Sequence, residues 1–149
     1  MTFEQGYPAT LATEQFSRLI KQSTAGELAE LMSGDRRRVI LDEVFRRMPQ
    51  VFRSDRAGEL RAVVHWHIGD RPDGGADRYE LTIADGGCSV SGQPDRPPQL
   101  TLSIGAVDFL RMATGNTRAV VLAMTGRLRS SGDLALAARM PRLLDPPRV

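Results

Sequence analysis

Apolar positions in the first third of the chain recur at helical spacing. Between Glu14 and Gln22, Phe16, Leu19 and Ile20 share one side, and Thr13 stands where an N-cap is expected. Thr24-Ala25-Gly26-Glu27 has capping-box spacing, and Leu28, Leu31 and Met32 follow at helical offsets before Gly34. Asp35 is expected to cap a third helix, Arg36–Arg47, with Ile40, Leu41, Val44, Phe45 and Met48 as its stripe and Pro49 as its limit.

The period then changes from helical to alternating. Over Glu59–Ile68, Leu60, Ala62, Val64, Trp66 and Ile68 share one face, and Arg61, Val63, His65 and His67 the other. The Gly-, Asp- and Pro-rich stretch Gly69–Ala76 predicts a loop. Arg78–Ala84, the turn Asp85-Gly86-Gly87 and Cys88–Ser91 predict a hairpin. After a loop over Gly92–Pro98, Gln99–Ile104 predicts a fourth strand. Helical spacing returns over Ala106–Thr114 and Arg118–Met124. Gly126–Ser131 predicts a fifth strand. Gly132-Asp133 opens a last helix, Leu134–Leu144, which stops before Pro146-Pro147. This order predicts an α+β fold: a five-stranded, mostly antiparallel sheet with helices on one face. It divides the chain into an N-terminal helical arm (1–34), one domain (35–145) and a short tail (146–149).

Length and composition narrow the function classes. The 149 residues suffice for one core. There is no run of about 18 apolar residues, so no membrane-spanning helix is expected. Met1 to Thr13 lacks a basic start followed by an apolar stretch, so no secretory signal is expected. Cys88 is the single cysteine, which excludes an internal disulfide and points to the cytoplasm. The pI is about 9.2, but 18 acids are scattered among 20 basic residues. A nucleic-acid binder would concentrate its positive charge, so that class is set aside.

The stretch from Gln99 to Leu144 resembles the sterol carrier protein type two family. The resemblance is carried by Leu100-Thr101-Leu102-Ser103-Ile104, Asp108-Phe109-Leu110 and Thr114-Gly115. It continues through Ala123-Met124-Thr125-Gly126-Arg127-Leu128 and Gly132-Asp133-Leu134-Ala135-Leu136-Ala137. With the strands upstream it extends from Arg36 to about Leu144. It implies helices over a sheet with an apolar tunnel between them, holding a fatty acid, acyl-CoA or sterol-like ligand without catalysis and without a cofactor. Two positions depart from the family pattern. Gly115 is followed by Asn116-Thr117 where Asn-Pro often comes later, and Ser130 stands where an aliphatic residue is usual.

The expected tunnel wall is Trp66, Leu81, Leu102, Phe109, Met112, Met124, Ser130, Leu136 and Met140. Methionine suits ligands of varied shape because it is flexible and polarizable. The plainer alternative is that these side chains simply fill a core. Arg36, Arg37 and Arg38 are candidates for an anionic membrane surface or a CoA phosphate, against the plainer reading of a solvated helix face. His65 and His67, about 7 Å apart on one strand face, could share a metal. No further ligands follow a recognisable pattern, so the solvent-facing reading is preferred. Cys88 has no evident activating partner. Two other functions stay open: a tailoring enzyme that uses the apolar space as a reaction chamber, and a protein-interaction or dimerisation module with a filled core.

Overall fold

Alternation produces the sheet as expected. The computed structural model describes residues 13–146, with the side chain of Thr13 excluded. The Thr13 cap, the first twelve residues of the predicted arm and the end of the predicted tail lie outside the described residues. Strands β1 (Ala62–Ile68), β2 (Asp77–Ala84), β3 (Gly87–Ser91), β4 (Leu100–Ile104) and β5 (Leu128–Gly132) lie in the order β3-β2-β1-β4-β5. The β1–β4 pair is parallel and the other three pairs are antiparallel. Gln99 ties β4 to β1: its N–H donates to the Val63 carbonyl at 2.9 Å, and its Oε1 accepts from the Val63 N–H.

The helices are α1 (Thr13–Gln22), α2 (Ala25–Leu31), α3 (Arg36–Arg47), α4 (Ser54–Ala57), α5 (Ala106–Ala113), α6 (Ala119–Met124) and α7 (Leu134–Leu143). Helix α2 has the predicted capping box: Thr24 Oγ1 accepts from Glu27 N at 3.1 Å, and Glu27 Oε1 accepts from Thr24 N at 2.8 Å. Asp133 caps α7 by accepting from Leu136 N at 3.0 Å. Asp35 does not cap α3. Its backbone is already helical, at φ −64° and ψ −23°, and its side chain makes no capping bond.

Strand ends shift by one to three residues. Gly58, at φ 57°, turns the chain after α4, and pairing starts only at Ala62 opposite Ile83. Gly126, at φ 77°, closes α6, so β5 starts at Leu128. Gly132, at φ 107°, passes against the Gln99 carbonyl, where a Cβ would collide with the backbone.

One sheet face carries Val64, Trp66, Ile68, Tyr79, Leu81, Ile83, Leu100, Leu102 and Ile104, all buried beneath the helices. Phe16, Ile20, Leu28 and Met32 from α1 and the α2 region belong to the same core cluster as the sheet residues. The opposite face carries His65, His67, Thr101 and Ser103, which are half-buried.

Three charged residues of α3 are buried: Arg37, Glu43 and Arg47. Arg37 Nε donates to Asp77 Oδ2 at 2.7 Å, and its Nη2 donates to the Ile68 and Gly69 carbonyls at 2.8 Å. Arg38 Nη1 pairs with Asp77 at 3.1 Å, and the Arg38 guanidinium lies 4.7 Å from the Tyr79 ring centroid. Burial alone would raise the Asp77 carboxyl, but hydrogen bonds and charge from Arg37 and Arg38 outweigh it and hold it below its ordinary value. Arg37 is therefore unavailable to an external anion, which corrects the expectation for that residue.

A candidate binding cavity between the sheet and the helices

Four aromatic rings divide the core. Phe45 stacks on Tyr79 at 3.9 Å and on Phe109 at 5.0 Å between centroids. Trp66 meets Phe45 and Phe109 edge-on, at 6.2 and 5.7 Å. On the Tyr79 side the space is filled. On the other side, Trp66 and Phe109 face a cavity of about 400 Å³.

Nearly every remaining element contributes to its wall. Val44 and Arg47 come from α3, Met48 and Val51 from the 3-10 turn Met48–Val51, and Leu102 from β4. Met112, Ala113 and the following Thr114 come from the end of α5, and Ala119, Val120 and Ala123 from α6. Leu128 and Ser130 come from β5, and Ala137, Ala138, Met140 and Pro141 from α7. Phe16 and Ser17 of α1 complete it. Near Val51 and Leu144 of the wall, backbone bonds join the two segments: Arg53 N donates to Leu143 O at 2.7 Å, and Asp145 N to Val51 O at 2.9 Å.

Helix α1 is fastened over this space by one of the two sequence departures. Asn116 Nδ2 donates to the Ser17 carbonyl at 3.0 Å and to Thr114 Oγ1 at 2.9 Å. The other departure, Ser130, lies opposite Leu102 in the β4–β5 register. It lines the cavity yet stays exposed, so its hydroxyl stands at the mouth.

Polar groups on the wall are few, and two of them are buried donors without a partner among the described residues. Ser17 is fully buried, and its Oγ has no hydrogen-bond partner among the described residues. The Trp66 Nε1–H is likewise buried without a partner. Each such group costs about 1–3 kcal/mol when left unsatisfied. Arg47, on the same wall, lies 3.7 Å from Glu43, with its guanidinium 5.6 Å from the Phe16 ring centroid. Burial pulls Arg47 below its ordinary value, with Glu43 opposing that shift.

Of the nine residues expected on a tunnel wall, Trp66, Leu102, Phe109, Met112, Ser130 and Met140 line this cavity. Leu81 and Leu136 are buried in the core away from the wall. Met124 is 83% exposed: the outward face of α6 carries it, while Val120 and Ala123 face the cavity. Sequence reasoning missed the alanines of α5, α6 and α7. Their signal was available, since small residues on amphipathic helices leave room where a Leu would fill it.

The remaining candidates lie elsewhere. On the far side of the sheet, His65 Nε2 is 3.6 Å from Glu80 Oε2. Glu80 is buried, which would raise it, but the N–H groups of Asp95 and Arg96 and the Arg96 guanidinium bring it below its ordinary value. His67 is lowered by burial and by the charge of Arg78. Among the described residues no group of three or more His, Cys, Asp or Glu is placed to hold a metal. Cys88 is pushed up to about 11 by burial, the opposite of an activated thiol. Among the described residues no helix is long and apolar enough to cross a membrane.

Comparison with known proteins agrees with the geometry. The SCP-2 sterol transfer family pattern matches residues 41–145. Hydroxysteroid dehydrogenase-like protein 2 from Bos taurus is 26% identical over 105 residues, which cover 70% of this chain and 25% of that protein. The chain thus spans between about a sixth and a quarter of the length of the curated relatives it matches. The crystal structure of sterol carrier protein 2 like 2 from Aedes aegypti superposes with a TM-score of 0.56 at 20% identity, over 74% of this chain and all of that one. The stereoselective inverting sec-alkylsulfatase Pisa1 from Pseudomonas sp. superposes with a TM-score of 0.60 at 16% identity, over 86% of this chain and 20% of that one. These structures share the fold. The family match, which covers more than half of the chain, supports apolar lipid binding or transfer in general terms, and the chain belongs to the SCP-2 sterol transfer family.

Proposed function

We propose that the chain binds and carries an apolar ligand with one small polar head, in the class of fatty acids or sterols, without transforming it. The observation that carries this reading is the cavity of about 400 Å³, with its mostly apolar wall and two buried donors, Ser17 Oγ and Trp66 Nε1–H. That volume lies within the range of about 300–1,000 Å³ typical of small-molecule sites. Each methylene buried there contributes about 0.8 kcal/mol. The donors call for an acceptor oxygen on the ligand, as on a carboxylate or a hydroxyl. An acyl-CoA is a poorer fit, because Arg37 and Arg38 are engaged with Asp77.

Carriage is favoured over chemistry by the wall itself. Among the described residues it holds no carboxylate and no imidazole, the usual groups for proton transfer. In this reading α1 roofs the cavity, with Phe16 and Ser17 on its wall. The test is displacement of a fluorescent fatty acid from the purified chain. Uptake of about one probe per chain, competed by unlabelled fatty acid or sterol, is the expected result. A folded chain that takes up no member of either class sinks the proposal.

A further inference from the structure

Helix α6, Ala-Val-Val-Leu-Ala-Met, carries no charge. Its inner positions Val120 and Ala123 line the cavity and Leu122 is buried, while Val121 is 47% and Met124 83% exposed. Two large apolar side chains are thus held in water on the helix that borders the mouth. Val120, itself 46% exposed, joins them to the cavity wall.

The charge around this helix is segregated. Between Asp108 and Asp133 the chain has four arginines, Arg111, Arg118, Arg127 and Arg129, and no carboxylate. No other interval between successive acids of the chain holds more than three arginines. Arg118 precedes α6, while Arg127 and Arg129 follow it, and all three are exposed. Of these three, Arg127 alone has a nearby acid among the described residues, Asp108, at 3.7 Å. An apolar tip bordered by three exposed arginines, with a single acid near one of them, matches an anionic lipid surface in both respects: the tip enters the acyl boundary and the arginines meet the headgroups.

We propose that α6 and its flanking arginines dock the protein on anionic bilayers, with the cavity mouth set against the membrane. The docking stands on the α6 surface alone, and its use for ligand exchange rests on the cavity reading above. The surface differs from the Arg36–Arg38 cluster, in which Arg37 and Arg38 are paired with Asp77.

The test is sedimentation of the ligand-free chain with vesicles of phosphatidylcholine and with equimolar phosphatidylcholine and phosphatidylglycerol. The chain is expected to bind the anionic vesicles, more weakly as salt is raised. The triple variant Arg118→Gln, Arg127→Gln, Arg129→Gln is expected to lose about fivefold in affinity per arginine. The double variant Val121→Ser, Met124→Ser is expected to lose about tenfold. None of these five side chains lines the cavity, so fatty-acid uptake in solution stays at the wild-type level. Equal sedimentation of wild type and variants, or equal binding to neutral vesicles, overturns the docking surface and leaves the cavity reading standing. A concentration-dependent dimer that the double variant abolishes, without vesicle binding, assigns the patch to a second copy of the chain and overturns it too. Loss of fatty-acid uptake with vesicle binding intact contradicts the cavity reading alone.

Discussion

Beneath β2 and the first part of β1, the space under the sheet is taken up by Tyr79, Leu81, Ile83 and the stacked ring of Phe45, each at most 2% exposed. Beneath β4 and β5 it is left open, walled by alanines on three helices and by Ser130 at the rim. The same sheet thus supports a close-packed half and a hollow half, with the Phe45–Trp66–Phe109 contacts as the partition. The packed half is also locked by charge, through Arg37, Arg38 and Asp77. The hollow half carries few polar groups, and two of them lack partners. Stability is concentrated on one side, which lets the other side keep the space a ligand needs.

The largest effects should fall on the packed side. Phe45→Ala is expected to lower stability by about 3–5 kcal/mol in chemical denaturation, through a core void. Arg37→Ala is expected to cost about 2–3 kcal/mol, because Asp77 keeps only the half-exposed Arg38 close by and the Ile68 and Gly69 carbonyls lose their donor. Met112→Ala, on the hollow side, is expected to cost no more than about 1–2 kcal/mol, because that side chain already borders open space. Equal losses at Phe45 and Met112 would break the comparison.

Ala137→Phe reverses the signature. Filling the cavity is expected to reduce fatty-acid affinity by at least about tenfold, while stability moves by no more than about 1 kcal/mol. A smaller shift comes from pH. The Asp77 carboxyl is held below its unfolded value, so its contribution is complete above about pH 4 and is lost as pH falls through the folded value. Asp77→Asn should therefore lower the plateau of a stability–pH profile above about pH 4 and flatten its acid side, with the two proteins converging as pH falls. The smallest effect concerns Cys88, half-buried on β3. With its thiol raised to about 11, it should react with a disulfide reagent at neutral pH roughly a hundredfold slower in the folded chain than in urea.

The packed half was the legible one. Alternation at Val64, Trp66, Ile68, Tyr79, Leu81 and Ile83 fixes which side chains point inward, because strand period leaves a single choice of face. The capping chemistry at Thr24 and Asp133 was equally local, so it could be read without the fold. Asp35 failed as a cap because the preceding turn already holds it in helical geometry. The burial of Arg37 was not legible, since its acceptors, Asp77 and the Ile68 and Gly69 carbonyls, lie more than 30 residues away. The hollow half was read only in part, because a pattern of large residues predicts walls but not the gap between them. The gap depends on Ala113, Ala137 and Ala138. Met124 was misplaced because a six-residue helix has too few positions to distinguish its inner face from its outer one.

The central claim is that the hollow half holds a lipid-like ligand. Native mass spectrometry of the chain after incubation with palmitate and with cholesterol tests it most directly. The account predicts one adduct per chain with at least one of them, and none with Ala137→Phe. An unadducted wild-type chain with both, or an adduct that persists in Ala137→Phe, would contradict it.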